Sequence, residues 1–163
     1  MARRDPRTTL LLQVMDGAFD RHGWQGPTLR GALRGVSAKQ ALRRPGPGRH
    51  CVWDFVLHTA YWKYVVRRRL ADDARGSFPR SPSNWPSVPR MPDEKQWRAD
   101  VRLLVHEHQA LRKVVEQMAP AMLDRWSPKK EWRNAEEIFG IAAHDLYHAG
   151  QISLTKRLTA SKR

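Results

Sequence analysis

The stretch of residues 51–66 constrains the fold most, because it is apolar almost all round when it is drawn as a helix. A helix of this kind is buried on more than one side, so other helices have to surround it. We predict that this helix begins near His50 and ends between Leu70 and Asp72. A chain of 163 residues is long enough to bury such a core within one domain.

Three further segments carry the apolar spacing of a long helix. The first covers residues 8–22, with Thr8 or Thr9 as the expected N-cap, and the others cover residues 93–118, capped by Asp93, and 134–158. Short helical pieces are predicted at residues 28–35 and 37–40. Strand-like alternation is absent from the sequence. We therefore predict an all-α four-helix bundle that forms a single domain over residues 5–158, with a frayed tail at 159–163.

A proline-rich segment at residues 76–92 separates the second long helix from the third. Proline removes a backbone donor and fixes φ, so this segment is predicted to be a long irregular connection. Trp85 in its middle is expected to pack back onto the bundle or to cover a pocket. Trp126, in another predicted loop, is expected to line an apolar pocket as well.

The chain is strongly basic, with 30 Lys and Arg against 16 Asp and Glu and a net charge of +14. Such a charge is typical of proteins that bind nucleic acid or another polyanion. The basic residues are spread along the chain, however, and no nucleic-acid-binding motif accompanies them. An arginine-rich solvated surface is therefore the favoured interpretation, and polyanion binding is the alternative.

The single cysteine, Cys51, rules out an intramolecular disulfide and a cysteine-based zinc site. We interpret it as a small buried residue of a protein from a reducing compartment. No apolar run approaches the roughly 18 residues that a membrane span needs. We therefore expect a cytoplasmic protein that does not associate with membranes.

Two histidines in the last helix, His144 and His148, are four residues apart and therefore lie on one helical face. This spacing lets two imidazoles reach one metal ion. The spacing alone is weak evidence, because seven histidines in 163 residues produce such pairs by chance. Its context strengthens it, since Ile141 on the same side of the helix indicates that the two histidines point into the bundle.

His58 is the third candidate, because it lies in the middle of the most apolar helix. A histidine in such surroundings needs a hydrogen-bond partner or a metal ion. A core histidine bonded to a backbone carbonyl is the simpler interpretation of the residue alone. Asp54, one helical turn earlier, is placed to orient an imidazole or to ligate a metal itself.

Two stretches of the sequence carry a resemblance to a known family. Residues 50–62, HCVWDFVLHTAYW, and residues 139–152, FGIAAHDLYHAGQI, look like the DinB/YfiT-like superfamily. The resemblance implies a four-helix bundle, frequently a homodimer, with a three-histidine site that often holds zinc or nickel. Carried over by position, the ligands would be His58, His144 and His148. Some members of the superfamily are thiol-dependent transferases or hydrolases.

Three neutral imidazoles with a free fourth position are typical of an open, catalytic type of metal site. The ion would activate water or a low-molecular-weight thiol, so we expect a metal-dependent transferase or hydrolase with a small-molecule substrate. The alternatives are a non-catalytic basic bundle that binds nucleic acid and a dimeric interaction module. Further residues are expected to surround the ligands or line the pocket, namely Asp54, Tyr61, Trp62, Tyr147 and Gln151.

The other histidines are not predicted to be ligands. His106 is expected to be exposed, whereas His108 follows the apolar stripe of its helix and could approach the site. His22 and His50 fall at helix ends, where capping or the helix dipole accounts for them. For a homodimer, the first or the third long helix is the expected contact face.

Overall fold

The computed structural model describes residues 5–21, 23–73, 76–127 and 131–160. Within these ranges the regular structure is helical, apart from one isolated bridge between Trp126 and Arg133. The predicted all-α bundle is confirmed. His22 and residues 161–163, for which we predicted a helix end and part of a frayed tail, lie outside the described ranges.

Four long helices form the body of the protein: α1 (Pro6–Phe19), α4 (Val52–Ala71), α5 (Glu94–Gln117) and α6 (Asn134–Leu158). Two single-turn helices, α2 (Leu29–Ala32) and α3 (Ala38–Ala41), join α1 to α4, and a 3-10 helix (Pro120–Asp124) follows α5. α4 packs mainly on α5 and α6, while α1 packs on α6 and more lightly on α5. Side chains from Val52 to Ala60 are all buried, as the apolar sequence of α4 predicts.

Polar side chains fix where the helices begin. Asp93 accepts a hydrogen bond from the backbone N–H of Gln96 at 2.9 Å, which confirms it as the cap of α5. The predicted cap of α1 is wrong. Asp5 takes that role by accepting from the N–H of Arg7 at 2.7 Å, and Pro6 then fills the first helical position, which suits proline. Thr8 already lies within the first turn of the helix and is buried.

The segment between α4 and α5 has no helix or strand from residue 76 to residue 93. It is held against the bundle by Arg80, whose guanidinium contacts the buried Asp100 carboxylate at 2.7 Å. The other oxygen of Asp100 accepts from the Trp53 indole at 2.8 Å. A carboxylate removed from water needs such partners, so Asp100 links the segment to α4 as well as to α5.

A second buried carboxylate joins α4 to α6. The Lys63 ammonium donates to Asp145 Oδ2 at 2.6 Å, and each side chain is only 1% exposed. The ammonium also lies 5.0 Å from the centre of the Phe19 ring, over its face, in a cation–π contact. Burial raises the pKa of Asp145, and the neighbouring ammonium acts against that rise.

His108 lies in this part of the core and not beside the other buried histidines. Its ring stacks on Phe19 with 3.6 Å between the ring centres. Burial, helped by nearby cations, lowers the pKa of His108 to about 2, so the ring is neutral at pH 7. His106, two residues earlier, is exposed as predicted.

Among the described helices, none combines the length and the apolar character that crossing a membrane requires.

Replacing Lys63 with methionine should destabilise the protein strongly, because Asp145 would then stay buried without its cation. Removing one partner of a buried ion pair costs about 3–5 kcal/mol. The Lys63→Met/Asp145→Leu double variant should recover most of this loss, since neither charge is left behind. Urea unfolding followed by circular dichroism measures both effects.

Arg98→Ala is the matched control, because Arg98 pairs with Glu94 at the surface at 3.3 Å. Exposed pairs of this kind contribute about 0–1 kcal/mol. A Lys63→Met variant that loses no more stability than Arg98→Ala would contradict the assigned role of the buried pair.

Candidate metal centre

Three histidines from two helices converge at one point of the bundle. The Nε2 atom of His144 lies 3.2 Å from Nε2 of His58 and 3.0 Å from Nε2 of His148. All three ligand atoms lie within 4.8 Å of one another. The rings of His58 and His148 are buried, and that of His144 is partly buried. The structure therefore brings together the three residues that the sequence singled out.

The backbone explains this convergence. His144 and His148 are one turn apart on α6, so their side chains project in nearly the same direction. α4 packs directly against α6 and presents His58 to the gap between them. The Lys63–Asp145 pair connects the same two helices close to the histidines, since Asp145 follows His144 directly in the sequence.

The nitrogen atoms have the spacing that a metal ion requires. In a tetrahedral site with Zn–N bonds of about 2.05 Å, two ligand nitrogens are separated by about 3.3 Å. The observed separations of 3.0 and 3.2 Å are close to that value. Three imidazole nitrogens therefore fit one divalent ion, in a place where no carboxylate or thiolate of the described chain joins them.

The positions of the protons on the three imidazole rings also favour a cation between them. His58 Nδ1 lies 2.8 Å from the carbonyl oxygen of Asn84, which can only accept, so Nδ1 carries the proton and Nε2 has a lone pair. One proton on His144 Nε2 could satisfy only one of its two close neighbours. A cation among three lone pairs would satisfy all three nitrogens at once.

The imidazoles are held in the neutral form that binds metals. Burial lowers the pKa of His144 to about 3 and that of His148 to about 4, and the neighbouring histidines lower both further. Burial also lowers the pKa of His58, against the opposing effect of the Asn84 carbonyl. At pH 7 the three rings are therefore neutral, and a metal ion would not compete with an imidazolium proton for them.

The proline-rich segment closes one side of the site. Trp85 stacks on the His58 ring, with 3.8 Å between ring centres. It also stacks on the His50 ring, with 3.7 Å between ring centres. Asn84 adopts a left-handed conformation with φ of 69°, which asparagine tolerates better than most residues. Its side-chain oxygen accepts from the Trp62 indole at 2.8 Å. Trp62 and Asn84 together therefore hold the carbonyl that orients His58.

Trp85 packs back onto the bundle, as predicted. Asn84 is not among the predicted site residues, because an asparagine between Ser83 and Trp85 in a proline-rich loop is the only signal that the sequence carries for it. His50, predicted as a residue at a helix end, lies against Trp85 beside the site.

A cavity of about 560 Å³ opens onto the three histidines. Its walls are mainly apolar and aromatic, and the polar groups among them include those of the histidines, Arg49 and Gln151. Its remaining lining residues are Pro45, His50, Phe55, Trp85, Tyr147, Leu154, Thr155 and Leu158. Concave apolar walls around a few polar groups are typical of small-molecule sites.

Tyr147 and Gln151 line this cavity, and the Tyr147 ring lies 5.1 Å from the His148 ring. The interaction with Gln151 raises the pKa of His148 against the effect of burial. Among the described residues, the buried Oε1 of Gln151 and Nδ1 of His148 meet no partner at good hydrogen-bond geometry. A hydrogen bond from Nδ1–H of His148 to Oε1 of Gln151 would satisfy both atoms.

Other predicted neighbours lie elsewhere. Asp54 caps α4 by accepting from the N–H of Cys51 at 2.9 Å, and it pairs with Arg44 at 2.6 Å. Tyr61 packs on Phe78 in a separate cavity, with 5.6 Å between ring centres. Trp126 lines a different cavity, beside Arg69 at the other end of α4, and not the histidine cavity.

Residues 23–152, which include all three histidines, match the family model described as the DinB superfamily. Searches of curated proteins and of solved structures gave no match.

The Asn84 carbonyl should hold His58 in a single tautomer. Long-range ¹H–¹⁵N NMR spectra of the metal-free protein at pH 7 should show a protonated Nδ1 and an unprotonated Nε2. The exposed His106 provides the control, because it should show the averaged signals of a ring in exchange with water. A His58 ring that is protonated at Nε2 would contradict the assigned role of Asn84.

Proposed function

The chain belongs to the DinB superfamily, and from this membership and its three converging histidines we propose that it binds one divalent metal ion through His58, His144 and His148. The observation that carries the proposal is the 3.0 and 3.2 Å spacing of their Nε2 atoms. Zinc and nickel are the ions that we propose, because imidazole nitrogen suits both.

We further propose a metal-dependent transferase or hydrolase. An ion held by three neutral imidazoles would lower the pKa of a bound water or thiol and so supply a nucleophile near neutral pH. The chain contributes a cavity of about 560 Å³ beside the histidines, large enough for a small-molecule substrate. Its apolar walls would hold the substrate and exclude water from the reacting groups.

The thiol, where one is used, would come from a low-molecular-weight compound. Cys51 is completely buried, and burial raises the pKa of its thiol to about 11. A buried and protonated thiol is a poor nucleophile. An inert, reduced cysteine also fits the proposed cytoplasmic location.

Residues around the ligands would set their orientation. Asn84 would fix the tautomer of His58, and Gln151 would accept from the outer nitrogen of His148. Partners of this kind raise the affinity of a metal site and fix its geometry. Tyr147 from α6 and Trp85 from the proline-rich segment would line the entrance to the site.

Polyanion binding is not our proposal, although the net charge is +14. Many guanidinium groups are already engaged by carboxylates of the same chain, and several of these carboxylates are buried. Pairs of this kind are Arg44–Asp54, Arg67–Glu107, Arg69–Glu137, Arg80–Asp100 and Arg112–Asp16.

Protein purified without a nickel column should contain about one divalent ion per chain by elemental analysis. His58→Ala and His144→Ala should each lose that ion, because two imidazoles are a poor site. His106→Ala is the matched control, since His106 is an exposed histidine of α5 and should leave the metal content unchanged.

Circular dichroism must show that the variants remain folded. A metal content that is unchanged in folded His58→Ala would refute the three-histidine site. Restoring the ion to stripped native protein should also raise its stability, by about 2.7 kcal/mol when the free ion is present at 100 times its dissociation constant.

Cobalt substitution can distinguish a thiol-dependent from a water-dependent reaction. Adding glutathione to the cobalt-loaded protein should produce a sulfur-to-cobalt charge-transfer band if a thiol reaches the ion. The same addition to cobalt-loaded His106→Ala should produce an equal band, whereas His144→Ala should give none. An unchanged spectrum would leave water as the nucleophile and exclude the thiol-dependent reaction with this probe.

A further inference from the structure

The lining of the histidine cavity contains one cationic side chain that no acidic group balances. Among the described residues of this lining, Arg49 is the only arginine or lysine, and aspartate and glutamate are absent. Burial keeps the three ligand histidines neutral by lowering their pKa values. The cavity thus combines mainly apolar walls with a single permanent positive charge.

The backbone of Arg49 is held in place, whereas its side chain is free. The Arg44 guanidinium donates to the backbone carbonyl of Arg49 at 2.7 Å and to the Asp54 carboxylate at 2.6 Å. Asp54 is thereby occupied, and the exposed Arg49 guanidinium has no carboxylate or other hydrogen-bond partner within the described part of the chain. A guanidinium presents parallel N–H donors in a planar fork, which matches the two oxygens of a carboxylate.

Large apolar side chains of α6 line the same cavity and are still exposed to water. Tyr147, Leu154 and Leu158 are 64%, 56% and 62% exposed. They follow one another at intervals of seven and four residues, which places them on one side of the helix. Uncovered apolar side chains in a concave site indicate that the apolar part of a ligand packs there.

Arg49 and the three histidines border the cavity at different positions along α4. Arg49 precedes Val52, the first residue of α4, and His58 lies well inside the helix. Because an α-helix rises 1.5 Å per residue, Val52 and His58 are about 9 Å apart along the axis. A ligand that reaches from the Arg49 guanidinium to the metal centre therefore has room for an apolar body the size of a benzene ring with a short alkyl chain.

The number of free cations indicates the charge of the ligand. Arg49 alone can neutralise one negative charge, and Arg44 is already neutralised by Asp54. A phosphate dianion would leave one of its charges without a cation in mainly apolar surroundings, which is unfavourable. A monoanion with a planar head group, such as a carboxylate, matches both the charge and the shape of the guanidinium.

We propose that the metal site takes an amphipathic monocarboxylate as its substrate, with the carboxylate on Arg49 and the apolar body against Tyr147, Leu154 and Leu158. This inference rests on the proposed metal-dependent function, because it identifies the substrate class of that site. Arg49 holds the carboxylate away from the histidines. The carboxylate is therefore the group that is recognised, and the opposite end of the molecule is presented to the ion.

Binding of 4-phenylbutyrate to the metal-free protein tests this assignment, because no ion is then available to bind the carboxylate. In an NMR titration at pH 7, Arg49→Gln should raise the dissociation constant about tenfold or more, as the loss of a hydrogen bond to a charged group does. The uncharged analogue 4-phenylbutan-1-ol should bind native protein and Arg49→Gln equally. Arg102→Gln is the matched control, since Arg102 is an exposed arginine of α5 outside the cavity lining.

Leu154→Ser tests the apolar wall separately from the charge. It should weaken the binding of both 4-phenylbutyrate and 4-phenylbutan-1-ol about fivefold, because each compound loses apolar contact area. Leu10→Ser, which replaces an exposed leucine of α1 outside the cavity lining, should bind both compounds as native protein does. Arg49→Gln affects only the acid, so the two contacts can be told apart.

Zinc distinguishes a carboxylate on Arg49 from a carboxylate on the ion. With the carboxylate on Arg49, the Arg49→Gln change should weaken binding by the same factor in zinc-loaded and in metal-free protein. Binding that requires zinc and does not respond to Arg49→Gln would place the carboxylate on the ion and overturn the assignment.

The remaining outcomes are equally decisive. The carboxylate site would be overturned by native protein that does not bind 4-phenylbutyrate at millimolar concentrations, by equal affinity for the acid and the alcohol, or by a folded Arg49→Gln variant with native affinity. The titrations of metal-free protein are independent of the metal analysis of His58→Ala. A protein that binds the acid through Arg49 but takes up no metal would keep the carboxylate site and refute the metal-dependent function.

Discussion

Lys63 of α4 and Asp145 of α6 meet in the middle of the core, where both side chains are almost completely removed from water. Neither charged group can be hydrated where it lies, so α4 and α6 cannot slide past each other without separating the pair. The histidines lie close to this contact, because Asp145 is the neighbour of His144 and Lys63 is on the helix of His58. The ion pair therefore fixes the relative position of α4 and α6 that brings the three Nε2 atoms together.

The helices and the three histidines could be predicted because they depend on local periodicity. An interval of four residues fixes the relative direction of His144 and His148 wherever the helix lies. The apolar character of the sequence around His58 similarly indicates burial. These inferences need only the geometry of one helix and the requirement that apolar faces be covered.

Part of the surroundings of the histidines could not be predicted, because it depends on contacts that compete with the site. Asp54 lies one turn from His58, but the free N–H of Cys51 at the start of α4 and the Arg44 guanidinium are closer partners for its carboxylate. Tyr61 is only three residues from His58, yet about 60° further around the helix, which directs it to Phe78. Asn84 acts through its backbone carbonyl, and the sequence carries no signal for the direction of a single loop carbonyl.

α6 shows why an apolar helix is difficult to interpret from its sequence. Its inner side packs on the other helices, its histidine edge borders the cavity, and its outer side exposes large apolar residues, namely Phe139, Tyr147, Leu154 and Leu158. Hydrophobic residues on all three sides leave no polar face that would indicate which side meets solvent. The proposed metal site and the exposed apolar side of the bundle thus depend on one helix, in which residues one turn apart serve different purposes.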